Sequence, residues 1–218
     1  KLNNFFNFKK NFIVLDDAIN LRDFKNVKNK TIKNRFVYTG SFIKGKGIEL
    51  ILELAEHFRN YNFYLYGNLN TFPENLNPKK KMIKNLIVND FVEYKKIPSV
   101  LKSAEFLLMP YPKKIGVLMK GVDVQEYISP LKMFEYLASK KIIFASQNNA
   151  YKHILINNFN SIIIEPENKK KWIKMINYVL KNKTKFNKLK RNSFNTAKKY
   201  TWEKRAKKII NFAFKKHY

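Results

Sequence analysis

Seven short apolar runs, separated by polar turns or amphipathic stretches, constrain this chain more than any other feature of its sequence. They are FIVL (12–15), RFVY (35–38), FYLY (63–66), NLIV (85–88), EFLLM (105–109), IIFA (142–145) and IIIE (162–165). Most lack the polar alternation of a strand with one wet face. They read as strands covered on both faces, as in a parallel sheet.

Helical patterns lie between these runs. Ile48, Ile51, Leu52, Ala55 and Phe58 recur at i, i+3, i+4 spacing. Pro98 stands near the start of a second helix. In SPLKMFEYLAS, Ser129 is placed to cap a third and Pro130 to occupy its first position. Trp172, Met175, Ile176 and Val179 share a face of a fourth. Two more helices follow residue 183, divided at YTW, with Thr201 capping the second. Repeated strand–helix units predict an α/β domain with a doubly wound parallel sheet, Rossmann-like, over residues 31–182. Residues 1–30 read as a connection into it and residues 183–218 as C-terminal helices. Right-handed crossovers put every strand's carboxyl end on one edge, where ligands bind.

Composition removes several classes of function. The chain has no cysteine, which excludes disulfides and thiolate metal sites. His57, His153 and His217 lie far apart without ligand spacing, so no metal site is expected, and His153 reads as a surface or core-edge residue on a helix. No apolar run reaches the roughly 18 residues of a membrane span. The formal charge of +28 admits two readings. One is a polyanionic partner. The other is a compositional bias toward Lys, Asn, Ile, Phe and Tyr, with solvated lysine faces. Arginine, the preferred residue for bidentate phosphate and base contacts, is scarce.

The stretch GSFIKGKG holds most of a phosphate-binding P-loop: Gly40, four residues, Gly45, Lys46. Gly47 stands where such a loop needs a Ser or Thr hydroxyl for Mg²⁺, and FIVLD, which has the look of the acidic strand end such a site also needs, lies upstream of the loop. The triphosphatase reading therefore loses its metal. What remains is a glycine turn after a buried strand, a lysine and a helix N-terminus, which suit a phosphate or pyrophosphate. An ordinary βα turn with a solvated lysine is the alternative. In the SPLKMFEYLAS helix, Lys132 and Glu135 lie three apart and share a face near its N-terminal end. They read either as an exposed ion pair or as a cation for an anion beside a carboxylate for ribose hydroxyls.

Taken in order, YTGSFIKGKGIELILELAEHF, FYLYGN, LIVNDFVEYKKIPSVLKSAEFLLMPY, SPLKMFEYLASKKIIFAS, NSIIIEPEN and TWEKRAKKIINF resemble the C-terminal half of a GT-B-fold retaining glycosyltransferase of the group 1, family 4 type. The resemblance covers nearly the whole chain. It implies binding of a nucleoside-diphosphate-sugar donor and transfer of its sugar to an acceptor hydroxyl, without metal or resident cofactor. On the matching positions, Gly40, Ser41 and Lys46 face the diphosphate, and Phe91 and Val92 hold the base. Ser129, Pro130, Leu131 and Lys132 lie over the diphosphate and sugar, and Glu135 holds the ribose. Lys46 and Glu135 carry the reaction's demands on this half. The resemblance also implies an N-terminal domain bearing the acceptor site, a glycan or lipid-linked glycan acceptor, and a role in envelope polysaccharide or glycolipid synthesis. A cytoplasmic setting goes with that role, and the lysine-rich charge suggests peripheral contact with anionic membrane at the inner face.

Three positions depart from the family pattern. Ser41 replaces the usual Arg or Lys, Tyr127 stands where a second glutamate is usual with Glu126 one residue early, and Asp90 replaces a common glycine. These leave open a non-catalytic scaffold of the same fold. A basic nucleic-acid-binding module is a further alternative, suggested by the charge and the aromatics. Specific nucleic-acid binding is not expected, because Phe36, Phe63, Phe106, Phe134 and Trp172 sit at core positions of the pattern.

Overall fold

The computed structural model describes residues 12–76, 82–115 and 128–214. Glu126, Tyr127, His217 and most of the polar loop before Tyr127 lie outside the described residues. Six strands form one parallel sheet: β1 (Arg35–Thr39), β2 (Asn62–Tyr66), β3 (Leu86–Asn89), β4 (Phe106–Met109), β5 (Ile142–Ser146) and β6 (Ile162–Ile164). Their order is β3-β2-β1-β4-β5-β6. The order reverses direction between β1 and β4, which opens a crevice at their carboxyl ends. In register, Phe36 pairs with Phe106 and Val37 with Leu107 across that seam.

Alternate residues along each strand feed two apolar layers, as the period of a strand requires. On one face Phe36, Phe63, Phe106 and Phe144 pack under α2 (Ile48–His57) and α5 (Lys169–Lys181). The Phe36 ring stacks on Phe63 at 4.7 Å and on Phe106 at 4.6 Å between centroids, tying three strands together. On the other face Val37, Leu107, Met109 and Ile143 meet α3 (Ile97–Ser103), α4 (Leu131–Ala138) and α6 (Asn187–Ala197). The short α1 (Arg22–Lys25) adds Phe24 to that second layer. All five aromatics singled out above are fully buried, so they present no stacking platform to a nucleic acid. Among the described residues no helix is long and apolar enough to cross a membrane.

Three expectations are corrected. Residues 12–15 form no strand, and Phe12, Ile13 and Val14 are exposed. Apolar character without a neighbouring ladder does not make a strand. The connection instead meets the domain at Ile19, whose N–H donates to the Tyr200 carbonyl at 2.9 Å. Ser129 does not cap α4: Pro130 takes the N-cap position in an extended conformation, and no side chain caps the helix. A residue before proline is held away from helical geometry, and the Ser129 hydroxyl accepts from the Asp17 N–H at 3.1 Å. His153 lies in a turn, not a helix, and its Nε2 is 3.1 Å from both oxygens of Asp16.

The last helix, α7 (Trp202–Phe214), begins as expected, with the Lys204 N–H donating to the Thr201 hydroxyl. It has no buried residue, and Arg205 ties it to Asp17 at 2.8 Å. The two ends of the described chain are therefore fastened to each other at one corner of the domain.

Candidate functional site

A cleft of about 650 Å³ opens at the carboxyl edge of the sheet, over the seam between β1 and β4. The loop after β1 supplies Gly40, Ser41 and Lys46 to it, and the loop after β3 supplies Phe91 and Val92. The start of α4 supplies Pro130, Leu131, Lys132 and Glu135. Of the ten positions marked out in the sequence, nine line this one cleft. Ser129 does not, because its hydroxyl is turned to the connection at Asp17. Lys46 and Glu135, on separate elements, open onto the same space.

The β1 loop is shaped by what its glycines leave out. Gly47 is the N-cap of α2 with a left-handed backbone, φ 80°. A Cβ there would stand 1.9 Å from the Pro110 carbonyl oxygen. The Ser or Thr of a P-loop therefore has no room at this position. Gly40 has φ 138°, and a Cβ on it would stand 2.4 Å from the Lys132 Nζ. Its N–H is taken by the Tyr66 carbonyl at 2.9 Å, extending the β1–β2 ladder. Gly40 thus serves the cleft through its missing side chain and not as an amide donor.

Lys132 is the unusual group. Its residue is partly exposed, yet the Nζ is sealed from solvent and has no hydrogen-bond partner among the described residues. It lies 3.9 Å from the centroid of the Tyr38 ring and 5.4 Å from that of Tyr111. Burial, then the Lys46 charge, lower its pKa to about 7, with Glu135 opposing them. Burial also lowers the Lys46 pKa. Burial raises that of Glu135, against the pull of Lys132. An ammonium without hydrogen bonds is costly in such a place unless an anion completes it. Lys132 lies in the first turn of α4, and α2 starts just after Lys46; neither helix carries a side-chain cap at its N-terminus. The positive ends of their dipoles add to the field of the two lysines.

The opposite wall is apolar and aromatic. Ile97, Ile128 and Leu131 form it with Tyr94, which stands close enough to Glu135 to feel its charge. Phe91 is 75% exposed at the rim. Its N–H donates to the Asp90 carboxylate at 2.7 Å, and the same oxygen accepts from the Leu69 N–H at 3.4 Å. Tyr66, Tyr94 and Tyr111 also line the cleft, and none of them was marked out in the sequence. For Tyr66 and Tyr111 the available signal was a tyrosine at or just past the carboxyl end of a strand, β2 and β4, the edge at which parallel sheets bind ligands. Among the described residues no group of His, Asp and Glu is placed to hold a metal ion.

The comparison with family models matches residues 20–198, most of the chain, to the description "Glycosyl transferases group 1". The chain belongs to the glycosyl transferases group 1 family. Comparison with curated protein sequences returns no match. Solved structures with the same fold include a glycosyltransferase from Rickettsia africae, at TM-score 0.73 and 12% identity over 92% of this chain and 56% of that one. Another is the C-terminal domain of the group 1 protein LpcC from Francisella tularensis, at TM-score 0.59 and 18% identity over 84% of this chain and 93% of that domain. HepE of Anabaena, solved in complex with UDP-glucose, matches at TM-score 0.69 and 12% identity over 91% of this chain and 56% of its own. This group 1 chain therefore has the fold of a GT-B C-terminal domain and spans about half the length of the full-length structures it matches. The cleft lies in the part of the chain that the family model covers.

Proposed function

We propose that this chain is the donor-binding half of a retaining, family 4 type glycosyltransferase. It would move a sugar from a nucleoside-diphosphate carrier to the hydroxyl of a glycan or lipid-linked glycan. The observation that carries the reading is the sealed Lys132 Nζ, without a hydrogen-bond partner among the described residues, on the same cleft as Lys46 and Glu135. In this reading the diphosphate lies against Lys46, Lys132 and the N-termini of α2 and α4. Glu135 accepts from the ribose hydroxyls, and the base lies toward Phe91 and Val92. The bond from the anomeric carbon to the diphosphate breaks through an oxocarbenium-like state, the acceptor oxygen forms the new bond, and the acceptor's proton passes to the departing diphosphate. The diphosphate takes the electron pair, so the two ammonium groups and the helix ends stabilise the transition state more than the ground state. In that role they replace a metal, and the donor is a substrate, so no resident cofactor is required.

The acceptor site and any acid–base group of a partner domain fall to an N-terminal domain, with α7 and the connection at residues 12–19 facing it. Envelope polysaccharide or glycolipid synthesis at the inner membrane face is the setting proposed, the lysine-rich surface favouring anionic lipid.

Isothermal titration of the chain with UDP-sugars and GDP-sugars tests this. Micromolar-to-millimolar binding of at least one donor is expected, weakened roughly tenfold or more by Lys46→Ala and by Glu135→Ala. Binding indifferent to both substitutions would refute the assignment.

A further inference from the structure

The Lys46 and Lys132 side chains meet in the cleft at one aromatic ring. Tyr111 follows β4 directly after Pro110 and is almost fully buried. Its ring centroid is 5.6 Å from the Lys46 Nζ and 5.4 Å from the Lys132 Nζ. Tyr38, from the neighbouring strand, closes the other side of Lys132 at 3.9 Å, and its hydroxyl donates to the Ser41 carbonyl at 2.8 Å. The face of a tyrosine ring carries negative partial charge and attracts a cation most strongly when water is excluded. Burial pushes the hydroxyls of Tyr38, Tyr111 and Tyr136 upward, so all three stay neutral. The ring faces, not phenolates, are therefore what the lysines meet. The charged groups that act on Lys132 are Lys46, which repels it, and Glu135, which attracts it.

We infer that Tyr111 is a positioning residue that seats the Lys46 and Lys132 side chains side by side before the donor arrives, so that both amino groups converge on one diphosphate. A carboxylate in its place would hold the lysines more firmly but would compete with the diphosphate for them. A ring holds them weakly and leaves every N–H of Lys132 free to donate. The inference rests on the donor-binding reading given above and goes beyond it by naming what assembles the cationic pair.

The test compares wild type, Tyr111→Phe and Tyr111→Leu by titration with UDP-glucose and GDP-mannose from pH 6 to 9, with thermal unfolding in parallel. Tyr111→Phe, which keeps the ring, is expected to bind as wild type does. Tyr111→Leu is expected to bind roughly 3- to 10-fold more weakly. The midpoint of its affinity-against-pH curve should move to lower pH, because the charged form of Lys132 loses its support. A residue that only fills space would lower the melting temperature and leave that midpoint unmoved, which would overturn the inference. Equal loss in Tyr111→Phe would overturn it as well, since the hydroxyl and not the ring would then matter. Failure of wild type to bind either donor sinks the donor-binding reading and the inference with it. Binding by wild type with Tyr111→Leu unchanged sinks the inference alone.

Discussion

Gly40 and Lys132 fit together only because Gly40 has no side chain: the lysine Nζ would lie 2.4 Å from a Cβ built there. Gly40→Ala also places a side chain on a backbone at φ 138°. The strain should cost about 1–3 kcal/mol. The flexible end of Lys132 can retreat from the added methyl, but only by leaving its place against Tyr38. The expected outcome is a lower melting temperature together with weaker donor binding, measured by thermal unfolding and titration on the same preparation. Unchanged donor affinity would show that the ammonium's present position is not the one that binds.

Lys132 is held at a cost to the free fold. Its pKa is about 7 in the folded chain against 10.5 as the ordinary value. Between those values the unfolded chain binds the proton and the folded chain does not, so stability rises with pH across that window. Below about pH 7 both states are charged and the cost is fully present. Lys132→Met should therefore raise stability at pH 6 by roughly 2–4 kcal/mol, and the gain should shrink toward pH 10. Donor binding should be lost in the same variant, a trade of function against stability. Denaturant unfolding at several pH values measures the first part. A variant less stable than wild type at pH 6 would contradict it.

Asp90 controls the backbone edge where a base would lie. Its carboxylate takes the N–H groups of Phe91 and Leu69, joining the loops after β3 and β2. Asp90→Gly frees both amides and removes a negative charge near the rim. Binding of UDP and GDP should then strengthen by a few-fold, on the order of one neutral hydrogen bond. The melting temperature should fall slightly as the loops separate. Weaker nucleotide binding in Asp90→Gly would mean that the carboxylate orders this wall for the base.

Much of the fold was legible because buried parallel strands leave a local signature. Phe63, Leu65, Leu107 and Ile143 are buried where continuous apolar runs said they would be. FIVL carried the same signature and is no strand, since strand formation needs a partner edge that local sequence does not report. Lys132 and Glu135 were legible as a pair through their helical spacing. The burial of Lys132 was not, because its walls are Tyr38 and Tyr111, distant in sequence and brought together by the β1–β4 pairing. Ser129 was misread as a cap because the rule for caps weighs the hydroxyl, while Pro130 fixes the backbone that the hydroxyl must act from. Asp90 stood out only as a departure from glycine; its grip on two amides depends on how two loops meet.

Proton uptake on donor binding tests the central claim most directly. A diphosphate against Lys132 should return its pKa toward the ordinary lysine range, whereas the free group titrates near 7. Calorimetric titration with a nucleoside-diphosphate sugar at pH 8, in two buffers of different ionisation enthalpy, should register uptake of about one proton by wild type. Lys132→Arg, whose charge is fixed, should bind the donor with no uptake. Wild-type binding without proton uptake, or equal uptake by Lys132→Arg, would contradict the account.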